Sequence, residues 1–215
     1  HPQERSSRFS CSDPRLEKIY SIALDTLALN TREFFLDGIK RDRWLWAGDA
    51  YQAFLMNYYS FFDLKTARRT MIALAGKPPV LHFMNQIMEY SFYWIIGLYD
   101  YYMYTGDLFF LRRMLPTAKR IIEFSHTRKT ADGLLAGKEG DWVFVDWANL
   151  DNRGEVSAEN IIYLKALDTV AKLCGLLGED ASAYAQEYEE MRRKVFDVFW
   201  DESRGVFYYS RVNGK

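Results

Sequence analysis

Apolar side chains recur at helical spacing along almost the whole chain, and this periodicity restricts the fold more than any other feature. Residues 16–27 and 51–62 each place six apolar residues on one helical stripe, and similar stripes follow in later segments. Asp13 followed by Pro14 predicts a helix start, since aspartate caps helices and proline is tolerated in the first turn. About seven helices with short extended segments are expected, so the chain belongs to the all-α class.

The predicted helices are bounded by residues with known capping and breaking tendencies. The expected boundary residues are Gly76, Gly106 and Gly178 as helix ends, Asp49, Asp107 and Asp180 as helix caps, and Pro116 as a break or kink. The final "GVFYYS" is strand-like, and "DWVFVDW" alternates as a short extended piece does. Short connections favour antiparallel neighbours, which build a bundle, a solenoid or a closed α/α toroid. No motif recurs at the periods of common helical repeats.

Composition limits the classes of function. The net charge of −1 argues against nucleic acid and anionic membrane as partners, because both require a concentrated basic surface. The two cysteines and three histidines are widely spaced, and no phosphate-binding loop occurs, so neither a metal nor an organic cofactor is expected. Aromatic residues make up 17 % of the chain; some must pack in the core, but Trp and Tyr also suit flat apolar ligand faces.

The segment "DGIKRDRWLWAGDA" (residues 37–50) crowds Asp37, Asp42 and Asp49 among arginines and indoles. Cleavage of a glycosidic bond needs one carboxylic acid to protonate the leaving oxygen and one carboxylate to attack or to activate water. Arginines can fix carboxylates by paired hydrogen bonds, and indoles suit the apolar face of a sugar. Simpler explanations remain open: Asp49 as a helix cap, Asp37 as a turn residue, and "KRDR" as a solvated surface.

A second acidic and aromatic segment is "GDWVFVDWA" (residues 140–148). Its candidate residues are Asp141, Trp142, Asp146 and Trp147. The alternative is an aromatic plug that closes the end of a helical bundle, since buried tryptophan is commonly structural. Residues 87–104 are predicted to form a helix that is apolar and aromatic on nearly every face, which is typical of a helix surrounded by others. Glu89 and Tyr90, at its start, are weaker candidates, because an acid there is favoured by the helix dipole alone.

The first of these segments resembles the catalytic domain of the bacterial α-L-rhamnosidases, an (α/α)6 toroid of the six-hairpin glycosidase type. The family pattern is an Asp, an Arg followed by an acidic residue, and a Trp-x-Gly-Asp ending. The matching residues here are Asp37, Arg41, Asp42, Trp46, Gly48 and Asp49. The resemblance continues in residues 99–107, 140–147 and 157–178, so it covers nearly the whole chain.

The resemblance implies an inverting glycoside hydrolase that removes terminal α-L-rhamnose from oligosaccharides or glycosides. It makes Asp42 the general acid, where the family commonly has the longer Glu, and it makes Asp37 and Asp49 ligands of sugar hydroxyls. By the same resemblance the remaining substrate-binding residues are Arg41, Trp46, Asp141, Trp142, Asp146 and Trp147, with the tryptophans of the second segment around the methyl group of rhamnose. It implies no cofactor, and it favours a periplasmic or secreted location.

The family's general base is a Glu near the end of the toroid, and no matching motif occurs before Lys215. Seven helices are also too few for a ring of twelve. Residues 1–215 are therefore expected to form a single domain that is the N-terminal part of an (α/α)6 catalytic domain, truncated at both ends and inactive without the rest of the polypeptide. Two alternatives stay open: the same fold acting on another deoxyhexose or a uronic acid, and a non-catalytic carbohydrate-binding domain, which the Asp at position 42 would suit.

Overall fold

The computed structural model describes residues 6–212, and these are mostly helical. The helices are α1 (Pro14–Asn30), α2 (Ala47–Tyr58), α3 (Leu64–Ala75), α4 (Met88–Thr105), α5 (Leu108–Ser125), α6 (Ser157–Leu177) and α7 (Ser182–Phe199). Two antiparallel strand pairs complete them: β1 (Glu155–Val156) with β4 (Ser210–Arg211), and β2 (Trp200–Asp201) with β3 (Val206–Phe207). The predicted all-α class and the seven helices are confirmed for the described part of the chain.

The chain divides after Gly76 into two compact units. The first unit holds α1, α2 and α3, and its helix starts follow simple rules. Asp13 caps α1 as predicted, because its carboxylate accepts the backbone N–H of Arg15 at 2.9 Å. Within the apolar stripe of α1, Leu24 and Leu27 are buried, whereas Leu16 and Ile19 are exposed. The periodicity therefore identified the helix correctly but overstated how much of its stripe is covered within the described residues.

The second unit is built around α4, which is buried on nearly every face. It packs against α5 and α6, and α6 packs in turn against α7. Trp94 and Phe92 of α4 are almost fully buried, and the Phe92 ring lies 5.2 Å from that of Tyr163 in α6. A helix with apolar residues all round needs neighbours on each side, as the sequence predicted. This packing brings the first turns of α4 and α6 together.

Most of the predicted helix boundaries are correct, and three are not. Gly76, Gly106 and Gly178 end α3, α4 and α6, and Asp107 caps α5. Pro116 does not break α5, which continues through it to Ser125. Trp46, not Asp49, is the cap residue of α2. Asp180 lies one residue before the cap of α7, where its carboxylate binds the N–H and hydroxyl of Ser182.

Candidate active site

The acidic segment of the first unit is a loop between α1 and α2, closed at its base by hydrogen bonds. The Asp37 carboxylate accepts the backbone N–H of Trp44 at 2.7 Å, and the Asp37 N–H donates to the Trp44 carbonyl at 3.2 Å. Gly38 lies close to this turn, since an added Cβ would be 3.0 Å from the carbonyl oxygen of Arg41. Asp37 therefore helps to fix the loop that carries the other acids.

Asp42 lies at the tip of this loop and is exposed, as is Arg41. Asp42 and Arg43 both adopt positive φ, at 59° and 50°, a left-handed conformation that costs free energy for residues other than glycine. Two such residues in succession turn the chain sharply and place the Asp42 carboxylate at the outside of the loop.

The far end of the loop is anchored on a buried helix start. Ala47, Gly48 and Ala50 in the first turn of α2 are buried. Trp46 and Asp49 are half-buried beside them, and Asp49 lies in the first turn, where the positive end of the helix dipole favours a carboxylate. The loop thus holds one acid at its base, one at its exposed tip and one in the helix start that follows.

In the second unit, Asp141 is a buried acid with charged partners. The Arg128 guanidinium binds it through two hydrogen bonds, Nε to Oδ2 at 2.5 Å and Nη2 to Oδ1 at 2.9 Å, and the Lys138 backbone N–H adds a third at 3.0 Å. Burial by itself raises the pKa of Asp141, but these donors outweigh it and hold the pKa below its ordinary value. Because both oxygens are occupied, Asp141 holds the start of the aromatic segment in place.

The aromatic segment consists of residues 142–147, and its rings form an exposed cluster. Trp142 and Trp147 are 43 % and 82 % exposed, so neither is buried as a plug closing the bundle would be. Phe144 lies between them, with ring centroids 5.3 Å from Trp142 and 4.9 Å from Trp147. Asp146 is also exposed and accepts the N–H of Trp147 at 2.6 Å. An exposed indole cluster beside a carboxylate is a surface suited to a sugar.

Backbone bonds fix the start of this segment against α4. Trp142 donates its N–H to the carbonyl of Gln86 at 2.8 Å and accepts the N–H of Met88 at 3.3 Å. A cleft of about 560 Å³ borders the same tryptophan, and its other walls include Lys138, Asp151 and Asn152. The aromatic segment therefore borders a cleft and is fixed at its start by backbone hydrogen bonds.

Beneath the aromatic segment lie two buried acids, one expected only weakly and one missed. Glu89 is in the first turn of α4 and Glu159 is in the first turn of α6; they are 2 % and 1 % exposed. None of their four carboxyl oxygens has a hydrogen-bond partner among the described residues. Burial raises the pKa of Glu89 to about 7, and burial together with the neighbouring Glu89 charge raises the pKa of Glu159 well above its usual range. The sequence signal available for Glu89 was an acid in the first turn of a helix, before an aromatic run.

No described helix is long and apolar enough to cross a membrane. Within residues 6–212 no group of three or more His, Cys, Asp or Glu side chains could hold a metal ion. Cys174 is buried in α6 and Cys11 is exposed; neither forms a disulfide.

The helical hairpins and the loop of acids and indoles define the class of six-hairpin glycosidases. The family model for the bacterial α-L-rhamnosidase six-hairpin glycosidase domain matches residues 4–213, and the chain belongs to this family. A search of curated protein sequences finds no match.

Solved structures agree with this assignment. A rhamnosidase from Klebsiella oxytoca with rhamnose bound is 28 % identical with a TM-score of 0.81, over 96 % of this chain and 42 % of that one. A GH78 family rhamnosidase from Bacillus sp. GL1 is 25 % identical with a TM-score of 0.85, over 95 % and 22 %. An α-L-rhamnosidase from Dictyoglumus thermophilum, at 20 % identity and a TM-score of 0.76, shares the fold. The chain thus spans less than half the length of these relatives.

Proposed function

We propose that this chain forms part of the catalytic domain of a glycoside hydrolase that removes terminal α-L-rhamnose with inversion. The observation that carries the proposal is the exposed Asp42 at the strained tip of a closed acidic loop, in a chain of the α-L-rhamnosidase family. A general acid must reach the glycosidic oxygen, so an exposed carboxyl suits that role. The Klebsiella oxytoca relative with rhamnose bound supports the choice of sugar.

The other residues of the loop have supporting roles in this proposal. Asp37 and Asp49 accept hydrogen bonds from sugar hydroxyls, and Arg41 and Trp46 contact the sugar beside them. Asp37 retains one carboxylate oxygen beyond the one that binds Trp44, so it can fix the loop and accept a hydroxyl at once. Asp42 is one methylene shorter than Glu, so its backbone must approach the glycosidic oxygen more closely.

Within the second unit, we propose the aromatic segment as a contact surface for a deoxysugar. Trp142 and Trp147 present exposed ring faces to the deoxysugar's methyl group, and Asp146 accepts a hydroxyl. Asp141, whose carboxylate binds Arg128, positions the aromatic segment and lines the cleft beside it. The base that activates water belongs, in this proposal, to a part of the enzyme outside this chain.

Two measurements test the proposal on the enzyme that contains this chain. The first is hydrolysis of p-nitrophenyl glycosides of α-L-rhamnose, α-L-fucose, β-D-glucuronic acid and β-D-glucose; we expect the rhamnoside to be cleaved fastest. Faster cleavage of the fucoside or glucuronide would instead favour the alternative that the same fold acts on another deoxyhexose or a uronic acid. The second is proton NMR of the first product, which should be the β-anomer; an initial α-anomer would exclude inversion.

The isolated 215-residue chain provides a separate test. We expect it to be inactive on the rhamnoside, because it lacks the base, and to bind L-rhamnose weakly. Turnover by the isolated chain comparable with that of the enzyme would refute the proposal that the general base lies outside this chain. Sugar binding by an enzyme with no measurable hydrolysis of any glycoside would instead favour a carbohydrate-binding domain.

A further inference from the structure

The buried acids Glu89 and Glu159 need an explanation that the sugar-contacting residues do not provide. A buried carboxylate without a partner is costly, and a leucine at either place would fill the core without that cost. All four oxygens lack a hydrogen-bond partner among residues 6–212, and no Lys, Arg or His of that range forms an ion pair with them. Since both side chains lie in a region without a compensating positive charge, both cannot be ionised together.

These two acids are in contact with the base of the aromatic segment. Trp142 pairs with the backbone of residues 86–88, immediately before Glu89, and the Tyr90 ring meets that of Phe144 edge to face at 6.4 Å. The backbone amide of Phe144 lies near the Glu89 carboxyl and opposes part of the rise in its pKa. The charge state of Glu89 therefore acts directly on the backbone that carries the exposed rings.

The start of α6 is equally fixed. Asn160, next to Glu159, donates its side-chain amide to the carbonyls of Leu135 at 3.0 Å and Val156 at 2.8 Å, and it accepts the N–H of Leu135 at 2.7 Å. These bonds fix the backbone of the first turn of α6, which carries Glu159. The two carboxyl groups are thus held together by the packing of α4 on α6.

We propose that Glu89 and Glu159 share a proton and act as a positioning pair that holds the aromatic segment 142–147 in the form that binds sugar. The shared proton lets one carboxyl donate to the other, so the pair remains compact beneath Phe144. When the pH falls and Glu89 also takes up a proton, the hydrogen bond between one carboxyl and one carboxylate loses its charge, and the segment above them shifts. The part of this proposal that concerns sugar rests on the proposed function.

The titratable groups around the pair give the direction of this switch. Asp141 on the loop, Tyr93 on α4 and Tyr209 near the end of the described chain all interact electrostatically with one or both acids. Each of these neighbours is negative or becomes negative on ionisation, so none favours loss of the shared proton. Burial raises the pKa of Glu89 to about 7, which places the change near neutral pH.

Tryptophan fluorescence tests the positioning role without any assumption about catalysis. We expect the emission of the 215-residue chain to change between about pH 6 and about pH 8, where Glu89 loses its proton while Glu159 keeps its own. Glu89→Gln should remove this transition, because an amide does not ionise. Glu159→Gln should shift its midpoint, because it removes the carboxyl that donates to Glu89. Glu187→Gln is the matched control, as Glu187 is a partly buried acid of the same unit with cationic partners, and it should keep the transition.

Steady-state kinetics of the enzyme that contains this chain test the link to sugar. The KM for the rhamnoside should rise severalfold below about pH 7 in the wild type, with kcat less affected, and should stay flat in Glu89→Gln. A fluorescence transition that survives in Glu89→Gln would overturn the positioning pair. A transition that is abolished while KM stays indifferent to the variants would refute its link to sugar, and absence of rhamnoside hydrolysis would count against the proposed function alone.

Discussion

The loop 37–49 and the aromatic segment 142–147 both combine acids with indoles, but they use their acids in opposite ways. In the loop, Asp42 is exposed at a strained tip, where it can meet a substrate. Around the aromatic segment, the buried acids are structural: Asp141 is held by Arg128, and Glu89 lies beside another acid. The comparison teaches that an acid near a tryptophan does not identify a catalytic group, because its partners and exposure decide its role.

The buried acids also differ from each other, and this contrast has measurable consequences. Asp141 has a lowered pKa because a guanidinium and an amide compensate for its burial. Glu89 has a raised pKa because burial dominates, and the Glu159 side chain and the Phe144 backbone amide oppose only part of its effect. Because Asp141 and Glu89 are both buried, the groups that contact each carboxyl decide whether its pKa is lowered or raised.

The largest expected effect comes from removing the exposed acid. Asp42→Asn should lower kcat for the rhamnoside by about a hundredfold to ten-thousandfold, because a general acid contributes on that order, while L-rhamnose binding persists. Asp42→Glu is the matched control, since it keeps a carboxyl at this position on a side chain one methylene longer and should keep substantial activity. Near-normal turnover of Asp42→Asn would remove Asp42 from the role of acid.

Removing the partner of Asp141 converts a compensated acid into an uncompensated one. Arg128→Gln should lower the free energy of unfolding at pH 7 by about 3 to 5 kcal/mol, as measured by urea denaturation, because it leaves a buried carboxylate unpaired. The loss should shrink as the pH falls and Asp141 becomes protonated. Arg192→Gln, which removes an exposed pair with Glu189, is the control and should change stability by less than about 1 kcal/mol. Equal losses of unfolding free energy in Arg128→Gln and Arg192→Gln would contradict the claim that Arg128 compensates a buried charge.

The pH dependence of stability tests the uncompensated acid itself. The pKa of Glu89 is about 7 in the folded chain against 4.5 for an ordinary Glu, so the folded state binds more protons between these values. The stabilising contribution is therefore full below about pH 4.5 and is lost as the pH rises through about 7, by roughly 3 kcal/mol. Glu89→Gln should be more stable than the wild type at pH 8 but not at pH 5. Parallel curves for the two proteins would rule out the raised pKa.

The smallest expected change in stability is that of Trp147→Ala. The side chain is 82 % exposed, so its removal should change the free energy of unfolding by about 0.5 kcal/mol or less. The same variant should weaken L-rhamnose binding by about 1 kcal/mol, as measured by calorimetric titration. A stability loss of about 3 kcal/mol with unchanged sugar affinity would instead identify a structural plug.

The helical architecture could be predicted from sequence, because its signals are local. The glycines at positions 76, 106 and 178 end helices, and apolar spacing reveals the elements between them. The cap of α2 was placed wrongly because Asp49 is a good cap by type, whereas the backbone of the loop begins the helix at Ala47. Pro116 is accommodated inside α5, whose burial on one face stabilises the helix despite a lost hydrogen bond.

The candidate site was only partly accessible to the same reasoning. Residue type and family resemblance pointed to Asp42 and Trp142, but nothing in the sequence places Arg128 beside Asp141 or Glu159 beside Glu89. Those two acids are separated by 70 residues and meet only because α4 packs on α6. The pKa direction of an acid follows from such distant partners, and sequence spacing does not encode them.

A structure of the Asp42→Asn enzyme containing this chain, with an α-L-rhamnoside bound, tests the central claim most directly. The account predicts that the side chain at position 42 lies about 3 Å from the glycosidic oxygen of the bound rhamnoside. A rhamnoside bound elsewhere, with that side chain in solvent and another carboxyl at the glycosidic oxygen, would contradict it.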